Sequence, residues 1–320
     1  MSEVLTLLVP FFGVIALGYG AGYFRWVASE GLTGLEFFVF TIALPALFFQ
    51  LIVATPTVAL GGWSFVATTT FATYCAFAIA FSIAALINGG NVPEATVEGL
   101  AGSYSNTGYL APALVIAAFG TAAAAPVALI FSFDTAMLFI ITPLMMALGG
   151  TMRSDPRKLA EDIARQVLLN PVILATLFGF IALRLGFRPP GPIDAALSLV
   201  GGAAAPAALF LLGVSLSQRA LGPMSLELPV VVAVKLVAHP LIVYLLLSWV
   251  GGFAPVWVRA AVLIAALPPA ANVIALAARY RVHGERASAA VLVGSLVSAV
   301  TVTIAVILLI RDALPADPFH

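Results

Sequence analysis

The chain has 320 residues, 62% of them hydrophobic and 9% charged, against about 45–50% apolar and about 25% charged in an ordinary soluble domain. Its 14 basic and 14 acidic side chains cancel, so there is no basic field to gather nucleic acid and no acidic tail to solvate a disordered segment. The single cysteine, Cys75, sits in an apolar run without a thiol partner, which excludes a disulfide framework or a multi-thiolate metal site. This is the composition of a chain dissolved in lipid. Spans of about 20 apolar residues consume it almost entirely, leaving no room for a folded extramembrane domain.

The first apolar segment, Val4–Phe24, is preceded by Glu3 and by no Lys or Arg, so it reads as a retained span and not as a secretory signal. Nine more follow at Leu35–Ala54, Trp63–Ile87, Thr96–Phe119, Ala123–Leu148, Leu168–Leu185, Ala195–Leu216, Leu226–Trp249, Val256–Ala278 and Ala287–Ile310. Their separators carry turn and charge signals, among them Asn88-Gly89-Gly90-Asn91 and Arg188-Pro189-Pro190-Gly191. With no alternating strand pattern, each span is expected to be a helix, because backbone left unpaired in lipid is prohibitively costly. Loops after odd-numbered spans hold nine Lys or Arg residues and the opposite side four. Positive charge stays in the cytoplasm, so both termini are expected to lie outside the cell membrane. The longest loop, 149–167, is then cytoplasmic. Asp155-Pro156 opens a short amphipathic helix there, with Leu159, Ile163 and Val167 beside Arg157, Lys158 and Arg165.

Proline spacing suggests an internal repeat. Pro10 and Pro45 are 35 residues apart, as are Pro171 and Pro206, and the offset of 161 between these pairs also relates Gly18 to Gly179. Five spans per half is an odd number, so halves 1–148 and 168–311 would enter the membrane from opposite sides, as in many secondary transporters.

The fourth and ninth spans are counterparts in such a repeat, and both are flawed at mid-depth. The fourth contains Gly102-Ser103-Tyr104-Ser105-Asn106-Thr107-Gly108-Tyr109-Leu110-Ala111-Pro112 and the ninth Leu267-Pro268-Pro269-Ala270-Ala271-Asn272. Paired prolines remove two backbone donors and push Leu267 and Pro268 out of helix, so helix breaks are expected at Gly108 and Pro112 and at Pro268 and Pro269. Irregular backbone survives at this depth only where protein covers it or water reaches it. Two adjacent breaks would bring half-helix N-termini to the membrane centre, a site suited to an anion. Ser103, Ser105, Asn106, Thr107, Tyr109 and Asn272 are the candidate binding residues, the two asparagines offering amide hydrogen bonds without a buried charge.

These stretches, with Asn170-Pro171 and Lys235-Leu-Val-Ala-His239-Pro240, resemble the auxin efflux carrier family in its short-loop bacterial form, across essentially the whole chain. The resemblance implies an all-α polytopic fold of ten helices in two inverted five-helix repeats, with broken helices four and nine crossing. It further implies a homodimeric scaffold of spans 1, 2, 6 and 7 and an elevator-like transport unit of the other six, an architecture similar to bile acid sodium symporters. Plant members carry Asn-Pro-Asn at the ninth-span break, where this chain has Pro268-Pro269-Ala270-Ala271-Asn272, so the hormone substrate is not carried over. Bacterial members are described as carriers of small organic acids such as malonate or malate.

Asp134 in the fifth span and Lys235 in the eighth lie too deep to snorkel, and such charges are functional candidates by default. Asp134 is taken as the one central carboxylate, and it could bind a proton or sodium or form a static pair with Lys235. His239, one turn after Lys235, shares its face and is a candidate proton acceptor. Gln50 and Thr68 to Thr70 read as polar packing between helices, and Gly18 and Gly22 as scaffold packing or dimerisation. Trp63, Trp249 and Trp257 read as interfacial anchors.

The expected function is secondary transport of a small organic anion in the cell (inner) membrane, with no cofactor and no metal. Sodium-coupled symport is the alternative, and a channel or a ligand sensor stands further off. No intramembrane enzyme motif is present, and histidines 239, 283 and 320 form no local cluster.

Overall fold

A computed structural model describes residues 2–54, 63–151, 155–218, 224–282, 284–311, 313–315 and 318. Arg153 and Arg219, two of the nine basic loop residues counted above, and His283 and His320 lie outside the described residues. Helices account for nearly everything else. In chain order they are α1 (Ser2–Tyr23), α2 (Ser29–Phe37), α3 (Leu44–Val53), α4 (Trp63–Ile87), α5 (Val92–Ala101), α6 (Ala111–Phe119), α7 (Ala124–Leu148) and α8 (Pro156–Leu168). The second half continues with α9 (Pro171–Arg184), α10 (Gly191–Gly202), α11 (Ala204–Ser217), α12 (Leu228–Ala233), α13 (His239–Val250), α14 (Pro255–Ala266), α15 (Asn272–Arg279) and α16 (Gly284–Ile310). Among the described residues the only β-pairing is one isolated antiparallel bridge.

Among the described residues, six helical segments are long and apolar enough to cross a membrane, or seven if the pair α8 and α9, bent by 58°, is one span. The protein is therefore a multi-pass membrane protein. The other expected spans are α1, 22 residues long, and the broken pairs α5 with α6 and α14 with α15. A span interrupted at mid-depth leaves two pieces, each below the length of a crossing helix. The amphipathic helix expected after Asp155 is α8, and Asn170 caps α9 by accepting from Val172 and Ile173 N–H at 3.0 and 3.2 Å.

The helices divide into two compact units, one formed by Met1–Gly62, Thr107–Ser132 and Leu168–Arg219, the other by Trp63–Asn106, Phe133–Val167 and Ala220–His320. The boundary falls inside α7. In the first unit α1 lies against α11 and α3 against α9, both at close range. A Cβ on Gly18 would overlap the Phe210 carbonyl oxygen, and one on Gly213 the Ile15 carbonyl oxygen. Gly22 faces Ser217 and Gly179 faces Ile52. Small residues let backbones approach where lipid supplies no hydrophobic drive, so Gly18 and Gly22 serve contacts inside this chain. Gln50 crosses to α10, donating to the Asp194 carbonyl and carboxylate at 2.8 and 2.9 Å. Thr68 and Thr69, by contrast, bond carbonyls of their own helix.

The second unit is built on α4, which packs against α5 and α13, with α14 beside α13 and α15 beside α16. Trp257 is not an interfacial anchor: it is 1% exposed and meets the Phe65 ring edge-on at 4.8 Å. Its position two residues into α14 placed it near a span end in sequence, but that end is covered by α4. Trp63 and Trp249 are 82% and 71% exposed. A π-helical turn precedes a proline in each unit: Phe38–Ala43 before Pro45 and Val234–Ala238 before Pro240. The extra residue of such a turn absorbs the proline's missing donor without ending the helix.

Gly18→Val and Gly213→Val should each lower the melting temperature in detergent, at or beyond the ~1–3 kcal/mol of ordinary overpacking. Gly13→Ala and Gly20→Ala, whose new methyl groups meet nothing within 4 Å, should leave it unchanged or slightly higher.

Candidate functional site

The expected fourth and ninth spans are each interrupted, and Pro112, expected at a break, lies inside a helix. Helix α5 ends at Gly102 and α6 starts only at Ala111, while α14 ends with Leu267 in extended conformation (φ −64°, ψ 154°) and α15 starts at Asn272. The two irregular stretches pair with each other. Asn106 N–H donates to the Pro268 carbonyl at 2.9 Å and Ala270 N–H to the Tyr104 carbonyl at 3.1 Å, flanking the antiparallel bridge between Ser105 and Pro269. In this register Ser105 and Pro269 are the pair that exchanges no backbone bond, so the missing N–H of Pro269 deprives the ladder of nothing. Carbonyls and amides freed by one break are thus satisfied by the other, as burial in lipid requires. Helix α16 closes over the pair. A Cβ on Gly294 would stand 2.6 Å from Pro269 Cδ, so only glycine admits the proline ring there.

Around this pairing the second unit holds several candidate side chains. Ser105 is fully buried, and its hydroxyl has no partner among the described residues. Asn106 is buried and Asn272, the first residue of α15, is half-buried. At this end of α15 the Val273 and Ile274 N–H groups donate to the Ala270 and Ala271 carbonyls at 3.1 Å, and the helix dipole leaves a partial positive charge there. Ser103 donates to the Gly99 carbonyl at 2.8 Å, occupying its hydroxyl with its own helix. Thr107, Gly108, Tyr109 and Pro112 fall in the first unit. There Thr107 is buried with no hydroxyl partner among the described residues, Gly108 faces Phe40 and Phe131, and the Tyr109 ring meets Phe40 edge-on at 5.1 Å. Pro112 occupies the first turn of α6.

The ionisable trio comes together, but with a fourth residue. Lys235, inside the π-helical turn, has Nζ 3.3 Å from His239 Nδ1 and donates to the Ala265 carbonyl at 2.5 Å. His239 Nε2 lies 3.4 Å from Thr73 Oγ1, which lies 3.4 Å from Asp134 Oδ1. Asp134 and Lys235 form no direct ion pair among the described residues; Thr73 and His239 connect them. Thr73 lay unremarked in the sequence because a threonine on an apolar helix is common, and only α4 packing against α13 brings it between the two. Two other acids in the second unit are buried as well. Glu98 and Glu227 are each 2% exposed. Arg286 donates to Glu227 at 2.9 Å, to Glu94 at 3.3 Å and to Asn88 at 3.0 Å, so Asp134 is not the one buried acid. Among the described residues no group of three His, Cys, Asp or Glu side chains could hold a metal ion.

These breaks lie in a multi-pass chain of apolar helices, and the family that the chain matches is one of membrane transport proteins. The chain belongs to the auxin efflux carrier family: it matches the family described as Membrane transport protein over residues 3–306. It is 43% identical over 319 residues, the full length of both chains, to the "Putative malonate transporter" of Rhizobium meliloti (strain 1021). It is a transporter and not an enzyme.

Gly294→Val should push a side chain into the Pro269 ring and lower the melting temperature by several degrees, a loss of ~1–3 kcal/mol. Combining it with Pro269→Ala should recover part of that loss, a non-additivity that a double-mutant cycle reads directly.

Proposed function

We propose that this chain is a secondary carrier of a small mono- or dicarboxylate, with malonate the first substrate to test. The observation that carries this reading is the hydrogen-bonded pairing of residues 104–106 with 268–270 beside the N-terminus of α15. It holds the polar groups of Ser105, Asn106 and Asn272 near a helix end whose partial charge favours an anion. The malonate in the relative's name agrees with that chemistry. Packing of α1 on α11 and of α3 on α9, with Gly18 and Gly179 at the same 161-residue offset, supports ten spans in inverted repeats. In this reading α5 with α6 and α14 with α15 are the fourth and ninth spans, and alternating access is of the elevator type. The scaffold falls within the first compact unit, and the second unit carries the site. Segment 107–132, assigned by resemblance to the transport unit, is grouped with the first. We place the carrier as a homodimer in the inner membrane, both termini outside.

Purified protein in liposomes should take up labelled malonate saturably, with acceleration by unlabelled malonate on the far side. Asn106→Ala and Asn272→Ala should each reduce uptake by about tenfold or more, the worth of one hydrogen bond to a charged group. Uptake equal to wild type in both variants removes these residues from the site. For orientation, Cys75→Ala provides a thiol-free background. A cysteine introduced in 149–151 should react with an impermeant maleimide only from the cytoplasmic side, and one in 188–191 only from outside.

A further inference from the structure

We propose that Lys235, His239, Thr73 and Asp134 form a proton-binding relay that couples uptake of one proton at Asp134 to binding of the anion at the paired breaks. The inference rests on the carrier reading above and adds its coupling ion. All four residues belong to the second unit, on α4, α7, the π-helical turn Val234–Ala238 and the first turn of α13.

The ends of the chain fix its direction. A lysine ammonium has only donors and a carboxylate only acceptors. Lys235 Nζ therefore donates to His239 Nδ1, which leaves the neutral ring's proton on Nε2. That N–H points to Thr73 Oγ1, and the threonine hydroxyl donates to Asp134 Oδ1. In this state the lysine and aspartate charges cancel. Thr73 also has a second acceptor, the Thr69 carbonyl at 3.2 Å. When a proton from the aqueous phase adds to Asp134, the carboxyl O–H donates to Thr73 Oγ1 and the threonine hydrogen turns to Thr69. In both states Thr73 and Asp134 stay hydrogen-bonded to each other; the threonine's one hydrogen goes to Asp134 in the first and to Thr69 in the second, so only a hydroxyl rotates.

The two states differ in charge. With Asp134 un-ionised, the Lys235 ammonium has no counter-charge in the relay, and it is seated on the Ala265 carbonyl, two residues before Leu267 opens the break. A cation there favours an anion at the paired segments, where dielectric screening is weak. Binding of a carboxylate and protonation of Asp134 consequently assist each other. The charged or titratable groups acting on Asp134 are Lys235 and Tyr74, with Thr73 bonded to it, and the charge acting on His239 is Lys235. Sodium would have to bind Asp134 against the field of that lysine, and among the described residues the Thr73 hydroxyl is the one hydrogen-bonded to this carboxylate.

Two measurements decide the relay. Infrared titration of substrate-free protein should show the C=O stretch of an un-ionised carboxyl group whose titration disappears in Asp134→Asn and moves in pH in Thr73→Val and in His239→Phe. A band unmoved by both of those variants overturns the relay. In calorimetry above about pH 7.5, where malonate is fully ionised, repeated in buffers of different ionisation enthalpy, wild type should take up one proton per malonate bound. Its Kd should rise about tenfold per pH unit, while Asp134→Asn should take up none and show a flat Kd. Malonate binding by wild type without proton uptake, equal uptake by Asp134→Asn, or affinity that depends on sodium over choline overturns the proposal. If wild type binds no malonate at all, the carrier reading falls, and the infrared titration still decides the relay.

Discussion

The structure depends on one constraint: peptide groups inside a bilayer must find partners within the protein. A helix meets this demand alone, and most of the chain does so. At residues 102–110 and 267–271 it does not, and each break becomes tolerable because the other lies against it. The pairing is short, two backbone bonds around Ser105 and Pro269, but it turns two local defects into one satisfied element. The prolines contribute by what they lack: Pro268 offers a carbonyl, and Pro269 sits where no donor is needed.

Close packing supplies what the hydrophobic effect cannot in lipid. Glycines 18 and 213 let α1 and α11 touch backbone to backbone, and Gly294 lets α16 reach the Pro269 ring. These contacts make the helices fit in one way. Side chains in their place would separate the backbones of α1 and α11, and α16 from the Pro269 ring. The same closeness carries Thr73 to within hydrogen-bond range of groups on two other segments.

Charge in the second unit is arranged in two ways. Arg286 gathers Glu94 and Glu227 in direct ion pairs, which neutralises them where they stand. Asp134 and Lys235 are instead held apart by a hydroxyl and an imidazole. A direct pair locks two charges together; a mediated pair leaves the carboxylate able to exchange its proton while the ammonium remains on the Ala265 carbonyl. That difference is why the second arrangement suits coupling and the first suits anchoring.

The amino-acid sequence by itself determined the lipid environment, the helical class, the positions of both breaks and the identity of the deep charges. Each of these follows from local chemistry: apolar run length, the missing proline donor, and the desolvation penalty of an ionised side chain. It also put Lys235 and His239 on one face, because four residues is about one turn. Tertiary structure alone decided that the breaks satisfy one another in a register that excuses Pro269, that Thr73 and His239 stand between Asp134 and Lys235, and that Glu98 and Glu227 are buried. It likewise turned Trp257 inward and set Gly18 and Gly22 against α11. These are contacts between segments tens to hundreds of residues apart, and no local pattern encodes which distant surface a helix will meet.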